Sequence, residues 1–161
     1  MQYTVEVLRL YARVFEGEVA KPRQNRRNYV RGVAHIQNHG DVDERPDGWV
    51  GIPGSGKFIE GFALYLDDAD RDVTLSYSGM MPDGSLGPAV TEGKFVGSRG
   101  KSIPLYGFKL NILKRASIIK QCVAWARFVD GYEVGPISAG QTCYAPSHAP
   151  LESLRVRLNS T

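Results

Sequence analysis

The sequence predicts an all-β fold, because the chain is short, rich in turn-forming residues and repetitive. Its 161 residues suffice for one domain with its own hydrophobic core. The 18 glycines and 9 prolines exceed the roughly 12% that average usage would give. No segment keeps a helical apolar stripe over more than two turns, whereas several short segments alternate apolar and polar residues. We therefore expect short strands separated by turns.

Seven segments show this pattern and are separated by Gly, Pro, Asp or Asn: Thr4–Phe15, Tyr29–Gln37, Phe62–Leu66, Val73–Met80, Phe108–Ile112, Ile118–Phe128 and Leu154–Leu158. The first strand is expected to pair with the last one and so close the structure. The sixth is locally compatible with a helix, but Val, Ile, Trp and Phe dominate it and Asp130-Gly131 ends it as a turn would. It is predicted to be a strand, with Trp125 in the core.

A threefold internal repeat is the strongest signal in the sequence. Three landmarks return with a period of about 46 residues: the apolar residues Phe62, Phe108 and Leu154 at separations of 46 and 46, the turn glycines Gly40, Gly84 and Gly131 at 44 and 47, and the pairs at Gly48, Gly93 and Gly140 at 45 and 47. The prediction is one all-β domain over residues 1–161. It has an N-terminal strand and basic loop (1–28) followed by repeats at 29–66, 73–112 and 118–158.

One such unit cannot bury its own apolar face, so three are expected to share a core around a pseudo-threefold axis. A β-prism of three small sheets and a β-trefoil both meet this description. The prism of three repeats of about 46 residues is preferred. The β-trefoil is the first alternative and an open sandwich is the second.

The repeat resembles the clostridial hydrophobic repeat with a conserved tryptophan, the ChW family of bacterial surface and secreted proteins. Ala34–Gly40 is similar to that family's opening strand and turn, and Glu92–Lys101 followed by Gly107–Leu110 is similar to its second half. The likeness extends from about Tyr29 to Leu158. At the family's tryptophan position this chain has other residues: Asp41, Ser85 and Tyr132. The resemblance implies attachment to a cell surface or to glycans.

Composition and charge narrow the classes of function. A net charge of +3 does not favour nucleic-acid binding, and no apolar run reaches the ~20 residues of a membrane span. The basic stretch Lys21–Arg31 is either a solvated loop or a surface for phosphates and for sulfated or carboxylated sugars. Met1–Val7 shows no signal-peptide pattern, so cytoplasmic synthesis or export by a non-classical route is expected. Cys122 and Cys143 allow one bridge or two buried thiols.

Several patterns imitate catalytic or metal sites but lack a required residue. Gly51–Lys57 has the spacing of a phosphate-binding P-loop, yet Phe58 stands where Ser or Thr would hold Mg²⁺. Asp68, Asp70 and Asp72 imitate a calcium loop, but Val73 replaces its glycine. The three histidines have no metal-ligand spacing, and His35 is expected to be structural. We expect no enzyme activity, no metal and no cofactor.

The repeated turns are the better candidate sites. Each places a short polar or aromatic side chain beside a glycine, which suits sugar recognition by carboxylates, backbone N–H groups and an aromatic face. The predicted ligand-binding residues are Asp41, Trp49, Asp83, Ser85, Asp130 and Tyr132. In the simpler interpretation, Asp-Gly merely forms the turn and the aromatic residue caps the core.

The sequence thus predicts a non-enzymatic, lectin-like module that binds cell-surface glycans. Shallow sugar sites are weak, so homo-oligomerisation is expected to supply avidity. The alternative is a structural or adhesion subunit of a surface or phage-tail-like assembly, with Lys21–Arg31 as an interface arm. A toxin-type module that uses glycan binding for delivery is a third alternative.

Overall fold

The computed structural model describes residues 29–67, 73–114 and 120–160, and every regular element in these ranges is a β-strand. The predicted strand Thr4–Phe15, the basic residues before Tyr29 and the calcium-like Asp68, Asp70 and Asp72 lie outside the described residues. No helix in the described part of the chain is long and apolar enough to cross a membrane.

Twelve strands follow one another along the described chain: β1 (Arg31–Ile36), β2 (Gly40–Asp43), β3 (Val50–Gly51), β4 (Ile59–Tyr65), β5 (Thr74–Met80), β6 (Val90–Thr91), β7 (Phe95–Gly97), β8 (Gly107–Lys114), β9 (Lys120–Phe128), β10 (Glu133–Ser138), β11 (Thr142–Tyr144) and β12 (Leu151–Ser160). The all-β prediction is confirmed. The predicted segments from Tyr29 onward correspond to β1, β4, β5, β8, β9 and β12.

The strands form three antiparallel sheets of four strands each, with the orders β2-β1-β4-β7, β6-β5-β8-β11 and β10-β9-β12-β3. The three described ranges are the three stretches of the chain. In each sheet, three strands come from one stretch and the fourth comes from another. The strands that leave their own stretch are β3, β7 and β11. Strand β12 has β9 on one side, and on the other it pairs with β3 and with Tyr29 through a bridge at Arg157.

The three sheets enclose one core. Ile59, Leu105 and Leu151 are fully buried, and the N–H of Leu105 donates to the Ile59 carbonyl (N to O 2.9 Å). The N–H of Leu151 donates in turn to the Leu105 carbonyl at 2.8 Å. Phe62 and Phe108 meet edge to face with ring centroids 6.2 Å apart. These contacts tie the starts of β4, β8 and β12 together, so the loops that precede these strands are held close to the centre.

Alternation along β9 decides which of its side chains face inward. Cys122, Ala124, Ala126 and Phe128 are buried, so the residues between them point outward. The strand prediction for this segment is confirmed over β9. The prediction that Trp125 belongs to the core is wrong, because Trp125 lies on the opposite face from Phe128, three residues away.

Candidate functional site

Three hairpins turn through the same hydrogen bond. The N–H groups of His39, Gly84 and Gly131 donate to the carbonyls three residues earlier, at N to O distances of 3.0, 2.8 and 2.9 Å. His39 therefore takes the place that Gly84 and Gly131 take in the other turns. The repeat landmark Gly40 is the next residue along the chain, and it shares a positive φ with Gly84 and Gly131 (101°, 87° and 89°).

Two of the predicted aspartates stabilise their own turns. The Oδ1 of Asp83 accepts hydrogen bonds from the hydroxyl and the N–H of Ser85, at 2.6 and 2.9 Å. Asp130 accepts from the N–H of Tyr132 at 3.0 Å and, through Oδ2, from the hydroxyl of Ser147 at 2.7 Å. These bonds favour the ionised carboxylate. The serine hydroxyl is the larger cause in each case, and the pKa of each aspartate is lowered.

Asp41 belongs to a different cluster. Its Oδ1 lies 2.6 Å from Nδ1 of His35 and 3.2 Å from Nε of Arg99, which together lower the pKa of Asp41, with the histidine as the larger cause. The N–H of Gly100 donates to Nε2 of His35 at 3.2 Å, so the histidine proton is on Nδ1. Both ring nitrogens are engaged, so His35 is structural, as predicted, and is not an available general base.

The P-loop-like segment does cradle an anion, but the anion belongs to the protein. The N–H groups of Gly54 and Gly56 donate to the two carboxylate oxygens of Glu152, at 2.8 and 2.7 Å. Glu152 is only 3% exposed, so this carboxylate is satisfied by the loop rather than by water. A phosphate would have to displace it, and the segment is therefore a structural loop.

Glu60 makes the corresponding contact with another loop. Its Oε1 accepts hydrogen bonds from the N–H groups of Lys101 and Ser102, both at 2.9 Å. Sequence reasoning missed both glutamates. The available signal is that each charged residue directly follows a buried apolar residue at the start of a strand, at Ile59 and Leu151.

The third loop, between β11 and β12, is held by stacked aromatic rings rather than by a buried carboxylate. Tyr106, which directly precedes Gly107, stacks on His148 with ring centroids 4.3 Å apart and an angle of 9° between the ring planes. The Nε2 of His148 lies 3.0 Å from the carbonyl oxygen of Pro82, which can only accept, so Nε2 carries the proton. Because His148 contacts Pro82 and Ser147 donates a hydrogen bond to Asp130, this loop connects the second turn, at Gly84, with the third, at Gly131.

A groove of about 420 Å³ opens between the second turn and β11, beside this loop. Tyr144 is 52% exposed and Leu86 is 38% exposed, so the groove presents an accessible aromatic ring and an apolar edge. Its polar groups come from Thr142 and His148. The full lining consists of Met80, Gly84, Leu86, Thr142, Tyr144 and His148.

Tyr144 distinguishes β11 from β3 and β7, the other two strands that join a sheet outside their own stretch of the chain. Gly51 of β3 and Gly97 of β7 pair with the small residues Ser153 and Gly61, whereas Tyr144 of β11 pairs with Gly107. A Cβ on Gly97 would clash with the Glu60 carbonyl oxygen, and one on Gly107 would clash with that of Cys143. Gly107 is thus required by the close approach of the β11 backbone at Cys143, not by the ring of Tyr144. Sequence reasoning missed Tyr144, although an aromatic residue at a glycine position was a usable signal.

The predicted site residues therefore divide among several places. Asp83 and Ser85 flank Gly84 at the groove, and Asp130 and Tyr132 are connected to it through Ser147 and His148. None of the six predicted residues is itself part of the groove lining, and Asp41 and Trp49 belong to other clusters. Trp49 lies instead against the guanidinium of Arg155, with Cζ 4.8 Å from the ring centroid.

Other chemistry is not assembled in the described part of the chain. Cys122 and Cys143 are free thiols, and burial raises the pKa of each to about 12. Among the described residues, no group of three or more His, Cys, Asp and Glu side chains is placed to hold a metal ion. A second cavity of about 270 Å³, between β5 and β7, is lined by apolar side chains, glycines and a proline.

Comparison with known proteins adds no relative. A scan against protein-family models and searches of curated proteins and of solved structures found no match to this chain.

Proposed function

We propose that this chain is a non-enzymatic, lectin-like module that binds cell-surface glycans, and that the groove beside Tyr144 is its sugar site. The observation that carries the proposal is an exposed aromatic ring next to fixed polar groups in an open groove. A sugar ring offers a C–H face to an aromatic side chain and a rim of hydroxyls to hydrogen-bonding groups.

The polar groups of the groove support this assignment. The hydroxyl of Thr142 can donate and accept, and in neutral His148 the Nδ1 atom is an acceptor because Nε2 carries the proton. Stacking on Tyr106 fixes the orientation of the His148 ring before any ligand arrives. Preorganised groups of this kind lose little entropy on binding. The second turn places the exposed carboxylate of Asp83 next to Gly84, which lines the groove.

We also propose that the fold is a pseudo-threefold β-prism of three repeats. Strands β3, β7 and β11 support this proposal, because each lies at the same edge position of a different sheet. Each of them also belongs to a different sheet from the strands that precede and follow it in the sequence. Ile59, Leu105 and Leu151, which meet at the centre, are separated by 46 and 46 residues. A β-trefoil closes its main strands into one barrel, whereas the described strands form three separate sheets. The likeness to the ChW family remains a proposal of the same kind.

The test is a glycan array probed with the wild-type chain and with Tyr144→Ala. We expect the wild type to bind a defined set of glycans and the variant to bind them at least about tenfold more weakly. Its stability is expected to stay within about 1 kcal/mol of the wild type, because Tyr144 is exposed. Tyr65→Ala, which removes a similarly exposed ring from β4, is the matched control and is expected to retain binding.

Light scattering on the same samples addresses the alternative function. Absence of glycan binding together with concentration-dependent self-association would contradict the proposal and favour a structural subunit. Glycan binding combined with oligomerisation would agree with avidity from several shallow sites.

A further inference from the structure

The outer face of the sheet β10-β9-β12-β3 carries arginines packed against aromatic rings. Arg155 of β12 is directly opposite Trp125 of β9, with Arg157 and Arg127 as neighbours on the same face. The guanidinium carbon of Arg155 lies 4.6 Å from the Trp125 centroid, 4.8 Å from that of Trp49 and 5.1 Å from that of Tyr29. We call this surface the arginine face; it consists of Tyr29, Trp49, Trp125, Arg127, Arg155 and Arg157.

The hydrogen-bonding capacity of these arginines is largely unused. The Nε atoms of Arg127, Arg155 and Arg157 are buried without a hydrogen-bond partner. Arg127 has one ionic neighbour, Glu133, at 3.7 Å, and that carboxylate is itself 61% exposed. Within residues 29–67, 73–114 and 120–160, no hydrogen bond or ion pair reaches the guanidinium of Arg155 or Arg157. The three arginine charges of this face thus have one carboxylate near them, that of Glu133, which is exposed to solvent.

The rings hold these charges in place. Three aromatic side chains surround the Arg155 guanidinium, and Trp125 also lies 5.2 Å from that of Arg157. Cation–π contacts stabilise a charged group without neutralising it or occupying its N–H donors. An arginine fixed in this way loses less entropy when it binds an oxyanion in bidentate fashion.

We propose that the arginine face binds the sulfate or carboxylate groups of an acidic polysaccharide, at a site separate from the groove. The charge of the face matches an oxyanion, and two arginines at alternate positions of β12 place their guanidinium groups about 7 Å apart along one line. Because the Nε atoms are buried, the terminal guanidinium nitrogens are the donors that would meet the oxyanion. In the sequence, four further basic residues (Lys21, Arg23, Arg26 and Arg27) precede Tyr29. The inference goes beyond the proposed function, because it does not require the groove to bind sugar.

A nucleic acid fits this face less well than an acidic polysaccharide. Proteins that bind single strands without sequence preference stack bases on open aromatic rings. Here the rings of Trp49 and Trp125 are already in contact with guanidinium groups. The available contacts are therefore to oxyanions rather than to bases.

The experiment measures the binding of heparin and of polygalacturonate by the full chain at fixed ionic strength, using isothermal titration. Single-stranded DNA and neutral dextran are the comparison ligands. We expect at least one acidic polysaccharide to bind more tightly than DNA, and dextran not to bind. The double variant Arg155→Gln/Arg157→Gln is expected to lose at least about tenfold in affinity, as the loss of two charge-assisted contacts implies.

Control variants separate this site from general attraction and from the groove. Lys94→Gln/Lys101→Gln removes the same charge from exposed side chains, and the hydrogen bonds of these lysines that involve Tyr77 and Glu60 use backbone atoms. This control and Tyr144→Ala are expected to bind like the wild type. An equal loss in either control, DNA binding as tight as polysaccharide binding, or no binding of either polysaccharide would overturn the proposal. Arg157→Gln alone, which leaves Arg155 among its rings, provides the same test if the double variant does not fold.

Discussion

Glu152 and Glu60 each place a buried carboxylate against the backbone of a loop rich in glycine. A buried charge is costly unless hydrogen bonds replace its water, and here each carboxylate receives two backbone N–H groups. The sequence shows that Gly51–Lys57 has the glycine spacing of a P-loop but lacks its Ser or Thr. It did not reveal the partner, because Glu152 is 98 residues away from Gly54 in the chain.

Glu152→Gln tests this contact. The amide keeps one acceptor oxygen and replaces the other with a donor that faces an N–H group, so we expect the free energy of unfolding to fall by about 1.5–3 kcal/mol. Urea unfolding provides the measurement, and Glu133→Gln, at an exposed position, is expected to change stability by less than about 0.5 kcal/mol. Equal midpoints for Glu152→Gln and the wild type would show that the loop does not depend on the carboxylate.

The turn aspartates predict a dependence of stability on pH. The pKa of Asp130 is lowered from its ordinary value of 3.8, mainly by the Ser147 hydroxyl. A carboxyl with a lowered pKa in the folded state contributes stability that is present above the unfolded value and is lost as the pH falls through the folded value. The unfolding midpoint is therefore expected to drop as the pH falls below about 5, and to go on dropping below the ordinary pKa of the carboxyl. In Asp130→Asn, which keeps an acceptor but does not titrate, the drop is expected to be smaller; an identical drop would exclude this turn as a source.

At the scale of elements, six strands of the described region could be predicted because each is long enough for apolar alternation to be visible. Of the six strands that were missed, β2, β3, β6, β7 and β11 have between two and four residues each. The sixth, β10, has six residues but contains Gly135 and Pro136 and pairs with β9 through a register shift. The positions of β3, β7 and β11 depend on pairing with strands that are distant in the sequence, which local sequence does not encode. Trp125 was misplaced because a position in the middle of a strand does not determine which face the side chain occupies; its phase relative to Phe128 places it on the outer face.

Phe108→Ala tests the packing of β8. Phe108 is buried and contacts the ring of Phe62, so truncation leaves a cavity in the core between sheets. We expect a loss of about 3–5 kcal/mol in the free energy of unfolding, measured in urea. Leu113→Ala, at a 62% exposed position on the same strand, is the control. An unchanged midpoint for Phe108→Ala would contradict the assignment of this strand to the core.

At the scale of the whole molecule, the candidate site lies where the three stretches of the chain differ. Two loops are held by buried glutamates and the third by the stacked pair Tyr106 and His148. Strands β3 and β7 end in glycine, whereas β11 ends in Tyr144. The sequence supplied the landmarks at intervals of 46 residues and the turns at Asp83 and Asp130. The groove itself depends on strand β11 joining another sheet, which could not be derived from spacing.

The most direct test of the central claim is a titration of the isotopically labelled chain with the glycan that binds best on the array, followed through backbone amide shifts. If the groove is the sugar site, the largest shifts are predicted at Gly84, Thr142 and Tyr144, with saturation as the glycan concentration rises. Shifts confined to the surroundings of Asp41, or to the arginine face, would contradict the claim that the glycan occupies the groove.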